Sequence, residues 1–402
     1  MLSRLAVKNF RLLRDVAIDI EPGKPIVLIG PNSSGKSSVL EVLDLLSRWV
    51  AIDDNSAFAP LGGVGAVIGP SSDFVEIEVD LSSPASRSFA ASYGVNFEDA
   101  PGAVVNKEWL YTYPDGKPGN RTEHLSRVFL NGWILNEQTK SRDDLPKIKA
   151  DSLLFSQIKH PVYYSTHGGV SRALSDLRVY GGFATKPQWS RDPRESRMSP
   201  TDSAILAPAP RLDQRGFNLV NALYHLHAEH FDTWQELMAA FSAEFPFVTR
   251  LEFPADPGGG KVALAWRDLR NPAQRMHGFQ MSEGMLSYLC LLTAILSPEP
   301  ATAIAFDEPD APLHPSAIRR LVHLLEEASR RTAVIVTTHS DRFLDYLSDP
   351  AGSLRVCEPT QEGVIIKPLD RAALDEWRRD YSLSELRAKG YLDTTNASLA
   401  ET

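Results

Sequence analysis

The chain has 402 residues with 43% hydrophobic content, enough for one large or two ordinary domains around a sizeable core. Forty-two Lys and Arg against 51 Asp and Glu give a net charge of -9, which argues against a nucleic-acid-binding surface spread over the whole protein. The only two cysteines, Cys290 and Cys357, lie in the apolar runs YLCLLTAIL and LRVC, so a disulfide framework is excluded and a reducing cytoplasm is expected.

The opening MLSRLAVKNFRLLRD carries a charge every few residues and has no apolar leader core. No stretch approaches the ~18 apolar residues of a membrane span. Two alternating strands are predicted, Arg4 to Phe10 and Val16 to Ile20, followed by the apolar run Pro25 to Ile29. That run ends in GPNSSGKS, which matches GxxxxGK[ST] with Gly30, Gly35, Lys36 and Ser37 in the required places. From Ser37 to Val50 apolar residues recur at helical spacing, so strand, glycine loop and helix follow in order. This order lets backbone N–H groups and a helix N-terminus converge on a triphosphate. Asn32, Ser33, Ser34 and Ser38 are counted with the loop, Lys36 reaches the terminal phosphates, and Ser37 ligates magnesium.

Phe74 to Leu81 alternates and reads as a strand, while residues 85–150 mix short apolar runs with turn residues and take no clear assignment. Phe183 to Gly216 is rich in Pro, Ser, Arg and Asp and reads as a long mobile loop. Around Trp189 it carries Lys186, Arg191, Arg194 and Arg197, but Asp192 and Glu195 cut its charge to about +2, which reads as a solvated loop. Nucleic acid is therefore only a weakly supported partner. A helix broken once runs from Phe217 to Phe241. Its His225, His227 and His230 stand at offsets of two and five, which share no helical face, so no zinc site is expected from that trio. Val248 to Phe253 and Lys261 to Trp266 flank PADPGGG and predict a hairpin.

Ser282 is placed as the N-cap of an apolar helix from Met285 to Leu296, and with Glu283 and Gly284 it makes an anion-binding helix start. Ala301 to Phe306 is a buried strand that delivers Asp307 and Glu308. Asp307 suits magnesium, and Glu308 suits orienting or deprotonating an attacking water. A helix from Pro315 and a β-branched strand from Ala333 to Thr337 follow, and His339 then stands at the sheet edge as a γ-phosphate sensor. Alternating buried strands and helices imply a mainly parallel sheet covered on both faces.

In this order GPNSSGKS, MSEGM, DEPDAPLHP and TTHS resemble the ABC-type P-loop ATPases that include SMC proteins, RecF and the OLD-like AAA ATPases, the last most of all. The opening strand pair, GFNLVNALYHL and the tail DYSLSELRAKGYL also resemble segments of that group. The resemblance covers the first ~50 and last ~190 residues. It implies an α/β P-loop NTPase head of two lobes, with antiparallel N-terminal strands and a helical insertion. Lobe one is expected over 1–182, the loop and insertion over 183–247, lobe two over 248–370, and a tail over 371–402. It also implies ATP and Mg2+ as cofactors, with two copies meeting head to tail so that Ser282 to Gly284 of one close over the nucleotide of the other. ATP hydrolysis would then serve DNA repair or recombination, or anti-phage defence, through a separate effector. Three departures stand out: no Q-loop glutamine is evident, Glu283 and Met285 replace glycine and glutamine of the signature, and neither a long coiled coil nor a nuclease domain is expected. A transporter ATPase subunit and a small-molecule kinase are the alternative readings.

Overall fold

The computed structural model describes all residues except 83–88, 115–119, 155–157, 159–162, 187–197, 256–259, 390–391 and 393–402. Trp189, Arg191, Asp192, Arg194, Glu195 and Arg197 of the basic loop lie outside the described residues.

The chain opens with β1 (Leu2–Phe10), β2 (Leu13–Asp19) and β3 (Ile26–Ile29), and helix α1 (Lys36–Ile52) leaves from the loop after β3. Residues without a clear sequence assignment form most of a meander: β4 (Phe74–Ser82), β5 (Phe89–Asp99), β6 (Ala103–Thr112), β7 (Thr122–Val128), β8 (Asn131–Leu135) and β9 (Arg142–Pro146). Helix α2 (Ser165–Ser175) leads to β10 (Leu177–Tyr180). After the short β11 (Ala204–Ile205) come α3 (Leu219–Glu229) and α4 (Phe231–Glu244), and the single break expected in this stretch falls at His230. Four strands, β12 (Val248–Glu252), β13 (Lys261–Val262), β14 (Ala265–Asp268) and β15 (Asn271–His277), precede α5 (Glu283–Ile295). The last third alternates: β16 (Ala303–Asp307), α6 (Pro315–Ala328), β17 (Ala333–Thr337), α7 (Asp341–Asp345), α8 (Pro350–Ser353), β18 (Leu354–Thr360) and β19 (Gly363–Pro368). Tail helices α9 (Arg371–Trp377) and α10 (Leu383–Ala388) follow.

Fourteen strands make one sheet in the order β10-β16-β17-β3-β18-β19-β2-β1-β4-β5-β6-β7-β8-β9. The five from β10 to β18 are mutually parallel, whereas the meander is antiparallel throughout, so the sheet is mixed and its five-stranded parallel block carries the site. The parallel strands read as continuous apolar runs because both faces are covered. Val27, Ile29, Val334 and Val336 enter one core with α3, α4, α5 and α6. Ile26, Leu28 and Ile335 enter the other with α1 and the meander.

The meander escaped assignment because a charged pair occupies core positions and breaks the alternation. Glu108 and Arg127 are both about 1% exposed, with 3.8 Å between Glu108 Oε2 and Arg127 Nη1. Tyr93 Oη donates to Glu108 Oε1 at 3.1 Å and Leu154 N to Oε2 at 2.8 Å. Arg127 donates to the carbonyls of Phe129, Lys149 and Ser152, so each charge has the polar partners that burial demands. The hairpin expected across PADPGGG forms, with Leu251 and Glu252 paired to Trp266 and Ala265 and Ala255 bridged to Val262, and β13 pairs with β11 as well. Both cysteines are buried and unbridged. Among the described residues no helix is long and apolar enough to cross a membrane.

Candidate functional site

The C-terminal ends of β3, β16 and β17 lie on one sheet edge, with Asp307 in register with Thr337 and Thr337 with Leu28. The acid strand is thus separated from the glycine-loop strand by β17, which carries the histidine loop into the space between them.

Two residues in the glycine loop require glycine for physical reasons. Gly30 has φ +147°, and a Cβ there would lie 2.4 Å from the Cys357 carbonyl oxygen. Gly35 has φ +80° and caps α1 without a side-chain bond, so the first N–H groups of that helix remain available to an anion. Ser33 is left-handed at φ 62°. Asn32 and Ser33 are exposed, Ser38 is half-buried, and Ser34 is buried with its hydroxyl lacking a hydrogen-bond partner inside the loop. The Lys36 ammonium crosses the loop to donate to the carbonyls of Gly30 at 2.9 Å and Pro31 at 2.8 Å. Burial lowers its pKa, so an incoming anion meets a poorly hydrated cation.

Opposite it, Ser37 Oγ stands 3.3 and 3.4 Å from the two Asp307 carboxylate oxygens, and Thr337 Oγ1 donates to Asp307 Oδ1 at 2.5 Å. A hydroxyl and a carboxylate converging at this separation form a hard-oxygen donor set that fits Mg2+. Glu308 is left-handed at φ 48°, held there because its N–H reaches both Thr337 O and Thr337 Oγ1 at 3.1 Å. The resulting turn aims its carboxylate at His339, with 3.5 Å between Oε1 and Nε2. The acid loop and histidine loop are further joined by Thr338 Oγ1, which donates to buried Asp310 at 2.8 Å.

Ser282 caps α5 as expected, accepting from Met285 N at 3.3 Å. Ser282 and Glu283 are exposed and Gly284 is half-buried. A cavity of about 690 Å3 has Glu283 and Gly284 on one wall and Asp307, Glu308 and Pro309 on another. Phe279, just before α5, is 71% exposed and stacks on His277 with ring centroids 5.2 Å apart.

Other neighbours of the site were invisible to motif reading. Gln214 and Arg215 line a cavity of about 440 Å3 together with Ser37, Glu41, Asp44 and Asp307, and Gln214 Nε2 donates to Asp44 Oδ1 at 3.1 Å. The available signal was the polar DQR immediately before GFNL, where Gly216 at φ +79° turns the chain into α3. From the tail, Arg387 Nη1 donates to the His339 carbonyl at 3.2 Å and Asp341 Oδ1 at 3.3 Å. Its positive charge also contributes to the lowered pKa of Lys36, after the larger effect of burial. The capping box between Ser382 and Glu385, and the buried Leu383 and Leu386, hold α10 in that position.

With this geometry established, a family model described as "AAA domain, putative AbiEii toxin, Type IV TA system" matches residues 26–345, a span reaching from the glycine-loop strand past the histidine loop. The chain belongs to this family. It is a P-loop ATPase of the AAA kind. Among curated relatives, the phosphate import ATP-binding protein PstB of Thermotoga maritima is 32% identical over 116 residues, covering 28% of this chain and 45% of that protein. The hemin import ATP-binding protein HmuV of Agrobacterium fabrum is 58% identical over 33 residues, 8% of this chain and 13% of its own length. The chain therefore spans less than half the length of either.

Three solved structures are also similar. The SmcHead bound to the C-winged helix domain of ScpA aligns over 93% of this chain and 99% of its own at 17% identity and TM-score 0.49. The SMC head domain from Thermotoga maritima aligns over 92% and 99% at 14% identity and TM-score 0.41. The Smc head domain with an extended coiled coil bound to the C-terminal domain of ScpA derived from Pyrococcus furiosus aligns over 94% and 98% at 13% identity and TM-score 0.48.

Proposed function

We propose that the chain hydrolyses ATP in a head-to-tail homodimer, and that the cycle of closure and release drives a separate effector. The observation that carries this reading is the gathering of Lys36, Ser37, Asp307, Glu308 and His339 on one sheet edge, while the Ser282 to Gly284 helix start presents exposed polar groups beside the exposed Phe279. A large aromatic beside an uncovered helix N-terminus suits a contact with a second copy that brings an anion with it.

In the bound state Lys36 exchanges the Gly30 and Pro31 carbonyls for phosphate oxygens. Ser37 and Asp307 would hold Mg2+, which would supply positive charge to offset that of the triphosphate. Glu308 accepts a proton from the attacking water, and His339, 3.5 Å from that carboxylate, donates a hydrogen bond to the γ-phosphate. Gln214 supplies the glutamine missing from the linear pattern, since it shares a cavity with Ser37 and Asp307.

The process we favour is anti-phage defence, with DNA repair or recombination as the neighbouring case. The family description, which names a toxin of a type IV toxin–antitoxin system, supports the former. Transport is the second reading, favoured by the import proteins among the relatives. Co-purification with an integral membrane subunit would bring it forward.

Complementation tests the shared site directly. Ser282→Arg and Lys36→Ala chains should each be inactive, yet an equimolar mixture should regain about a quarter of wild-type activity, because half of the random dimers hold one intact composite site. A fully active Ser282→Arg chain, or no recovery on mixing chains that still exchange, would remove the dimer from the reading.

A further inference from the structure

We propose a transition-metal site at the elbow between α3 and α4, built from His225, Glu229 and His230 and separate from the nucleotide site. The donor atoms of these three residues all lie within 4.8 Å of one another. His225 Nδ1 is already 3.5 Å from Glu229 Oε1, one helical turn away, and the His225 and His230 rings are 5.0 Å apart. Tetrahedral coordination at about 2.0 to 2.2 Å separates ligands by roughly 3.4 Å. The first pair therefore stands at the coordinating distance, and the third ligand needs a side-chain movement of about an ångström.

The fold creates this set where helical periodicity forbids it. On a straight helix residues five apart diverge by about 140°. The chain does not continue straight, because His230 ends α3 and begins α4 with φ -132° and ψ 68°, which swings its ring back over the last turn of α3. His227 belongs to the opposite side, with its ring 5.0 Å from Trp234 and 5.4 Å from Phe253. Two of the three sequence histidines therefore remain, and Glu229 replaces the third.

Two imidazoles and one carboxylate select borderline divalent ions such as Zn2+, Co2+ or Ni2+ over Mg2+. Three protein donors leave a fourth position for water or an outside ligand. Bound there, the ion clips the end of α3 to the start of α4. Both helices pack into the same core as α5, so the clip stiffens the support of the signature helix.

The test is equilibrium dialysis of the full chain against Zn2+ in excess Mg2+ without nucleotide, with stoichiometry read by elemental analysis and the ligand field by Co2+ absorption. One ion per chain and a tetrahedral Co2+ band are expected. Glu229→Gln, an exposed change with no role in folding, and His225→Ala should each weaken binding by roughly 100-fold or more, since even outer-shell partners carry 10- to 100-fold. His227→Ala should leave it unchanged, and circular dichroism controls for folding. Loss of the ion in His227→Ala to the same degree, equal affinity in all four proteins, or no stoichiometric ion would overturn the assignment.

Discussion

Replacing Glu308 with glutamine separates chemistry from folding at this site. The backbone of residue 308 is fixed by two bonds from its own N–H to Thr337, and neither involves the side chain. The carboxylate is 49% exposed and its ion-pair neighbour is His339, at 3.5 Å. Glutamine keeps the shape and the left-handed turn but cannot accept a proton from water. Removing a general base costs about 10²- to 10⁴-fold in rate, or about 3 to 5 kcal/mol of barrier. A surface change of this kind should alter folding stability by no more than about 0.5 kcal/mol. Phosphate release at saturating ATP and magnesium should therefore collapse while the melting temperature holds. Size-exclusion chromatography with ATP should show dimer accumulating, because closure proceeds and release does not. Turnover near the wild-type rate would refute the assignment of Glu308. An equal fall in melting temperature would show that the residue acts through structure.

Two further outcomes follow from the tail and the edge of the meander. Arg387→Ala should lower kcat by roughly tenfold with KM little changed and partial recovery in Arg387→Lys, because its bonds position the His339 loop rather than admit nucleotide; a rise in KM alone would reduce α10 to a packing element. At Asp80 burial raises the pKa from 3.8 to about 6, and Oδ1 is buried without a hydrogen-bond partner. The protonated form favours the fold, so this contribution is complete below pH 3.8 and is lost as pH rises through 6. Asp80→Asn should consequently stabilise the protein at pH 8 by at most about 3 kcal/mol and have no effect at pH 3, measured by denaturant titration. A constant difference at both pH values would sink that argument.

The candidate site was largely legible in the chain because its parts are local. A glycine loop, an acid pair after an apolar strand and a histidine after the next strand are each defined by a few consecutive residues. Their backbone demands, such as the close approach of Gly30 to Cys357, leave a residue-type signature. The hairpin across PADPGGG was legible for the same reason, since glycines between two apolar runs mark a local turn. What composition did not show is that residues 261–262 also pair with β11, a partner remote in sequence.

Sequence alone marked the glycine loop, the acids and the histidine as candidates and determined the α/β class, since periodicity and short-range geometry specify them without reference to distant residues. Tertiary structure decided what closes around them. Gln214 reaches the Ser37 cavity, and Arg387 reaches the His339 loop from 48 residues away, only after the sheet has formed. Glu229 meets His225 and His230 only because the helix breaks between them. Linear order carries no record of such meetings, because side chains on different elements are brought together by packing of the core, and that packing depends on the whole chain at once.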